Sequence, residues 1–333
     1  MGENSAKKMI KNMMPYGIVR AIEERKKSES EIIYEHVPQR ELYNVNGERI
    51  HTFYLKDQLS AHQPWGFVYG RTPQTILWDR IHPGLDIHFY THKDILRTVG
   101  KPRKKFAYLL ESETIVPEDY KIFEQKGLDK EFDLIFTHSS KLLNQLPNAR
   151  FLPASGVWYA NELSGNVLDA RQYEKKNKMV SLIASNKQDC EMHKIRKNIA
   201  FEMKKLKLAD TFGTFDGGER VDFVDSTLKE YRYQIVIENE ISDYYFTEKI
   251  LNCFAAMTIP VYIGAAEIGS FFNEEGIIRV NQPTCEAVVE ALKRCTEDYY
   301  EEHVNAVLDN FNRVKDFLSI EDYLMRHYGN MLK

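Results

Sequence analysis

Short apolar runs alternate with stretches of helical spacing through most of the chain. "KFAYLLES" (105–112) and "EFDLIFTHS" (131–139) read as strands, and "PEDYKIFEQKGL" (117–128) between them has a helical period. That is the strand–crossover–strand logic of a parallel α/β sheet, so the first domain is expected to be Rossmann-like. The pattern restarts with "KMVSLIASN" (178–186) as a strand and "HKIRKNIAFEMKKLK" (193–207) as a helix. "YRYQIVIEN" (231–239), "TIPVYIG" (258–264) and "GIIRV" (276–280) continue it as strands, with "EKILNCFAAM" (248–257) and "CEAVVEALKRC" (285–295) as helices. The last stretch, 301–328, has helical apolar spacing and suits packing back across the domain boundary, in a direction the sequence does not fix.

The linker "ARFLPASGVWYANELSGNVLDARQYEKK" (149–176) carries Pro, Gly and Asn and ends in a charge run. The expected division is a basic amphipathic segment at 1–28, a first Rossmann-like domain at 29–165 and a second at 166–333 with a closing C-terminal helix. Two such halves face each other across a cleft, and open α/β sheets bind ligands at the carboxyl ends of their strands.

Composition narrows the function. The 333 residues are 43% hydrophobic, enough for a sizeable core, and the net charge of −4 argues against a nucleic-acid binder held by overall basicity. Cys190, Cys253, Cys285 and Cys295 lack paired zinc spacing and read as reduced thiols of a cytosolic protein. No window approaches the roughly 20 apolar residues of a membrane span, and the start lacks the apolar core of a secretory signal, so a cytoplasmic protein is expected. "KKMIKNMMPYGIVRAIEERKK" (7–27) is basic and amphipathic, suited either to peripheral contact with the inner face of an anionic membrane or to docking on the protein's own core. "MGENSA" has Ala6 where a myristoylation signal needs Ser or Thr.

Charge then breaks the buried pattern of residues 233–264. Glu238 and Asn239 follow an apolar run, Thr247 is placed to cap a helix, and Glu248 and Lys249 fall in that helix's first turn. Lys249 opposes the helix dipole, and an anionic ligand, phosphate first, would resolve the conflict. Arg196, near the start of another helix facing the same cleft, offers a fork of donors suited to a diphosphate. Lys194 and Lys197 are alternatives by spacing, and a solvated helix face is the plain reading of any one of them.

Glu238-Asn239, Tyr245, Thr247-Glu248-Lys249 and "TIPVYIG" ending at Gly264 together resemble the signature of the α-1,3/1,4-fucosyltransferase family, glycosyltransferase family 10. The resemblance runs over roughly residues 105 to 280, where "AYLLESETIVP" looks like the family's Glu-Ser segment and "SNKQDCEMHKIRKNIAFEMKKL" like its Ser-Asn…Arg helix. Glu113 stands where the family often has Pro, the Ser-Asn to Arg spacing departs from the family's, and residues 1–100 show no match.

The resemblance implies a GT-B fold, a GDP-sugar donor in the C-terminal domain, a glycan or lipid-linked saccharide acceptor on the N-terminal domain, and inversion with no cofactor and no obligatory metal. By matching positions, Arg196 and Lys249 would hold the diphosphate, and Asn239, Tyr245 and Glu248 would line the nucleotide and sugar. Glu111 would be the general base, with Glu113 two residues on as its rival. Trp78, Asp79 and His88 are candidates for acceptor contact. His82, His88 and His92 with Asp79 and Asp86 match no compact metal motif. Gly217 and Gly218 suit close backbone approach beside the donor, or a simple turn. The expected function is transfer of fucose or a related sugar from GDP to a glycan hydroxyl, in surface polysaccharide or lipopolysaccharide synthesis. The alternatives are a GT-B transferase using another nucleotide sugar and a nucleotide-sugar-binding protein without turnover.

Overall fold

The computed structural model describes residues 14, 15, 18, 41–57 and 70–333, so nearly all of the basic segment at 1–28 lies outside the described residues. The first sheet contains β1 (Leu42–Tyr43), β2 (Arg49–Lys56), β3 (Ile76–Asp79), β4 (Ile87–Thr91), β5 (Lys104–Tyr108), β6 (Leu134–Thr137) and β7 (Ala149–Phe151). Strands β2, β4, β5, β6 and β7 lie side by side in parallel, and β1 runs antiparallel to the start of β2. Tyr54 is in register with both Asp79 and His88, so β3 and β4 flank β2 and the strand order reverses there.

The second sheet is wholly parallel. Its strands β8 (Lys178–Ile183), β9 (Asp210–Phe212), β10 (Tyr231–Ile237), β11 (Ile259–Ile263) and β12 (Ile278–Arg279) stand in the order β12-β11-β10-β8-β9. Here the reversal falls between β8 and β10. Covered on both faces, β10 and β11 read as near-continuous apolar runs, and every residue of β11 is buried.

Helices α1 (Pro117–Lys121) and α2 (Ser140–Gln145) follow β5 and β6, α3 (Glu191–Leu206) follows β8, and α4 (Glu248–Ala255) follows β10. After β12 come α5 (Cys285–Leu292), α6 (Glu297–Glu302), α7 (Val304–Arg313) and α8 (Ile320–Leu332). Two expected helices are shorter than their periodicity suggests. The 117–128 segment is a single α-turn followed by a 3-10 turn at Ile122–Glu124, with Gly127 in the left-handed region. The C-terminal stretch breaks at Ser319, whose hydroxyl accepts from the Asp322 N–H and starts a new helix.

That break sends α8 back across the first sheet, settling the direction left open by the sequence. The Trp78 indole donates to Glu321, the Gln74 and Thr75 N–H groups donate to Asp322, and the Tyr328 hydroxyl donates to the Phe151 carbonyl. One hydrophobic cluster runs from Phe89, Phe106 and Phe136 of the first sheet through Phe246 and Phe254 to Phe317 and Tyr323. Each such ring stabilises by about 1.5–3 kcal/mol on burial, so the halves are joined by core rather than by a wetted hinge. The cleft opens at the carboxyl ends of the strands.

Candidate active site

A cleft of about 800 Å³ lies where the loops after β8, β9 and β10 meet the loop after β5. Its second-sheet side sits at the reversal between β8 and β10, the place where an open α/β sheet leaves a crevice. Lys187, Arg196, Arg220 and Lys249 line that side against only two carboxylates, Asp222 and Glu248. The excess of cations suits an anionic ligand even though the whole chain is acidic.

Glu238 directly follows β10 with 0% exposure, and a carboxylate so buried needs full pairing. It receives the Thr247 N–H at 2.9 Å, the Thr247 hydroxyl at 2.8 Å and the Lys249 ammonium at 3.3 Å. Lys249 also donates to the Thr247 hydroxyl at 2.8 Å and meets Glu248 at 3.3 Å. Thr247 caps α4 by accepting from the Lys249 N–H. The conflict of a cation at a helix start is thus answered inside the chain, by two carboxylates, and is not by itself the mark of a ligand. What does point outward is that Lys249 still lines the cleft beside Arg196. Burial works against the ammonium, but Glu238 and Glu248 outweigh it and raise its pKa. Burial likewise pushes the Glu248 carboxyl up, and Lys249 with local hydrogen bonds holds it below the usual range. Gly264 closes this unit, since a Cβ there would collide with the Tyr262 hydroxyl and the Glu238 Cγ.

Arg196 lies on the buried face of α3, a face made by Met192, Ile199, Ala200 and Met203. Its Nε donates to the Ile237 carbonyl and one Nη to Asn239 Oδ1, each at 2.8 Å. Burial lowers its pKa, with Glu238 and Glu248 opposing. Lys194 turns to Glu191 and Lys197 lies over the Phe201 ring, and neither lines the cleft. His193, one turn before Arg196 and not singled out by sequence, shares Asn239 Oδ1 at 3.1 Å. Its signal was the i, i+3 spacing to Arg196.

On the opposite wall, Glu111 follows β5. Its Oε1 accepts from the Ser112 N–H at 2.8 Å and the Tyr245 hydroxyl at 3.2 Å, while the Tyr120 hydroxyl donates to its carbonyl at 2.6 Å. Among the described residues no hydrogen bond engages Oε2. Burial and the Glu111 charge push the Tyr245 hydroxyl well above its usual pKa, so Tyr245 is a neutral donor. Glu113 does not line the cleft. The strand does not continue: β5 ends at Tyr108, and the turn closed by the Ile115 and Val116 N–H groups on the Ser112 carbonyl reorients the chain.

Other candidates resolve differently. Trp78 and His88 are buried in the core of the first half, and Asp79 accepts from the Ile81 and His82 N–H groups, so none of the three lines the cleft. The histidines go to separate partners, His82 to Asp79, His88 to Tyr90 and His92 to Asp119, and among the described residues no three His, Cys, Asp or Glu side chains converge. Gly217 and Gly218 do not reach the cleft wall. The close approach is at Gly213, with φ +97 and a Cβ position that would strike the Ala184 carbonyl oxygen. All four cysteines are free thiols. No described helix is long and apolar enough to cross a membrane.

Comparison with known proteins follows this geometry. Residues 173–305 match the family model described as glycosyltransferase family 10 (fucosyltransferase) C-term. The alpha-(1,3)-fucosyltransferase FucT of Helicobacter pylori is 28% identical over 93 residues, which make up 28% of this chain and 18% of that protein. The aligned stretch thus spans less than a fifth of its relative's length. A crystal structure of an alpha1,3-fucosyltransferase superposes with a TM-score of 0.50 at 15% identity, covering 89% of this chain and 93% of that one. Anabaena Alr3699/HepE, solved with UDP and glucose, gives a TM-score of 0.51 at 9% identity, covering 84% of this chain and 99% of that one. At those identities the superpositions speak to the fold alone, a GT-B arrangement across both halves. Arg196, Glu238 and Lys249 all fall within the stretch that matches the C-terminal model of glycosyltransferase family 10.

Proposed function

We propose that the protein is an inverting glycosyltransferase that moves fucose, or a closely related sugar, from its GDP-sugar to a glycan hydroxyl. The observation that carries this reading is the pairing of Arg196 and Lys249 at the reversal of the second sheet, within the family-matched stretch, across a cleft from Glu111. Asn239 and Glu248 flank the cations, and Tyr245 joins the two walls through its bond to Glu111.

In the proposed reaction the acceptor hydroxyl gives its proton to Glu111 Oε2 as its oxygen forms a bond to the anomeric carbon. The bond from that carbon to the diphosphate oxygen breaks, and its electron pair leaves on GDP, so the anomeric configuration inverts. Ser112 and Tyr245 hold Oε1 in place, and proton transfer of this kind is typically worth about 10² to 10⁴ in rate. Arg196 and Lys249 take the charge that develops on the diphosphate, which is why the reading includes independence from metal. The acceptor falls, on this reading, among surface polysaccharides or lipopolysaccharide at the cytoplasmic face of a membrane.

Thermal-shift binding against GDP, UDP, CDP and their sugars, with EDTA present, tests the donor. Ligand at 100 times Kd stabilises by about 2.7 kcal/mol, so a selective guanine response of several degrees is expected. Stabilisation by UDP or CDP alone would overturn the fucosyltransferase reading, and guanine binding only on adding a divalent ion would overturn metal independence.

A further inference from the structure

We propose that His138 is a positioning residue for Glu111, fixing it from behind through Tyr120 and Tyr245 while itself touching no substrate. The proposal rests on the reading of Glu111 as the base and goes beyond it, since nothing in that reading calls for a histidine.

His138 directly follows β6, is 1% exposed and does not line the cleft. Its Nε2 lies 2.9 Å from the Tyr120 hydroxyl, and that hydroxyl lies 2.6 Å from the Glu111 carbonyl oxygen. A phenol has one proton to donate, and a carbonyl can only accept. The Tyr120 O–H is therefore committed to Glu111, and Nε2–H must donate to the phenol oxygen. The chain from His138 through Tyr120 to Glu111 is thus directional, and it fixes the tautomer with the proton on Nε2. Burial lowers the pKa of His138, with the Glu240 charge and Glu111 opposing, so the ring is neutral and Nδ1 is bare.

Nδ1 is enclosed without a hydrogen-bond partner. Leaving it so costs free energy that a phenylalanine in the same space would not incur. What the histidine adds in return is the Nε2–H, and its one use is to hold the phenol that holds Glu111.

The ring has a second contact. Its centroid is 4.8 Å from that of the Tyr245 ring, at an interplanar angle of 58°. Tyr245 comes from the other half, in the loop before α4, and its hydroxyl donates to Glu111 Oε1 at 3.2 Å. One imidazole thus bears on both phenols that hold Glu111, one at its carbonyl and one at its carboxylate. The first half fixes the backbone of Glu111, the second half fixes Oε1, and His138 sets the two phenols relative to each other.

The test combines amide exchange with the kinetics of GDP release from GDP-fucose by the full-length protein, water standing in for the acceptor. His138→Phe keeps a ring against Tyr245 and removes the Nε2–H. It is expected to raise exchange at residues 109–116, where the Ile115 and Val116 N–H groups close on the Ser112 carbonyl, and to leave α4 and the second sheet unchanged. The rate per GDP site, counted by calorimetry, should fall about ten- to a hundredfold with KM for GDP-fucose unchanged. His138→Gln, which keeps a donor near the Nε2 position, should recover part of both. Tyr120→Phe should reproduce the effect, and combining it with His138→Phe should add little. Exchange at 109–116 equal to wild type in His138→Phe overturns the proposal, as does a wild-type rate in that variant where Glu111→Gln is impaired. If His138→Phe fails to fold, wild-type exchange and rate in Tyr120→Phe overturn it. Absence of GDP release in the wild type, or a wild-type rate in Glu111→Gln, would instead overturn the base reading, and the exchange at 109–116 then decides alone whether His138 holds Glu111.

Discussion

The two halves share a strand order and differ in the charge they bring to it. In each, counting the parallel strands in chain order from β2 and from β8, the second flanks the first on one side and the third flanks it on the other, leaving a crevice at the same topological position. The second half fills that crevice with Arg196 and Lys249, and the first half supplies Glu111 and His92 with Asp119 behind it. Topology alone would therefore predict two ligand sites of the same kind. On the proposed reading, the side chains suit one to an anion and the other to taking a proton from a neutral hydroxyl.

The sharpest way to break this division of labour is Glu111→Gln. The amide keeps its oxygen for Ser112 and Tyr245 but cannot accept a proton as the carboxylate does. Transfer should fall by about 10² to 10⁴ while GDP affinity stays unchanged. A steady-state assay of GDP release with calorimetry on the same preparation checks both, and a retained rate would remove Glu111 as the base.

The mirror experiment acts on the other wall. Lys249→Ala or Arg196→Ala should weaken GDP about ten- to a hundredfold, as loss of a charge-assisted contact implies. The two should differ in stability. Lys249→Ala strips the fully buried Glu238 of its cation and should lower the melting temperature of the ligand-free protein. Glu238→Gln combined with it should recover part of that loss. Unchanged GDP affinity in both single variants would take the diphosphate away from this wall.

The contrast also explains what was legible in the sequence. The second half could be read because its site is nearly contiguous: Glu238, Thr247 and Lys249 lie within 12 positions and interlock through one capped helix start. Its strands β8, β10 and β11 are long apolar runs, whereas β9 has only three residues and carries no period of its own. The first half draws on two connections, Glu111 and Asp119 between β5 and β6 and His92 between β4 and β5; Glu111 stands out after an apolar run, but no local pattern announces the His92–Asp119 pair. The sequence offers His92 only among candidate metal ligands, because its partner lies 27 residues away. The Glu113 alternative arose from extending β5 past Tyr108, which the turn at Ser112 prevents. Trp78 looks available for a sugar because the sequence does not show that α8 returns to cover it, and His88 because it does not show that Tyr54 and Tyr90 enclose it on the other face of the sheet.

That covering helix supplies the most pH-dependent of the expected effects. Glu321 on α8 is 5% exposed and accepts from the Trp78 indole. Burial drives its carboxyl up to about 7, against the Trp78 hydrogen bond, which favours the charged form. In the unfolded chain the same group titrates near the ordinary value of about 4.3. Between these two values the folded state holds the extra proton, so stability falls as pH rises through the window and the loss is complete above about 7. The full effect is on the order of 3 kcal/mol, or several degrees in melting temperature. Glu321→Gln keeps an acceptor for the indole and removes the titration. Melting curves from pH 4.5 to 8 should show the wild type losing stability relative to the variant as pH rises, with the two nearest each other at the acid end. Parallel curves would mean that Glu321 is already charged or already solvated in the native protein, and that the halves are fastened chiefly by the aromatic cluster and the Asp322 contacts.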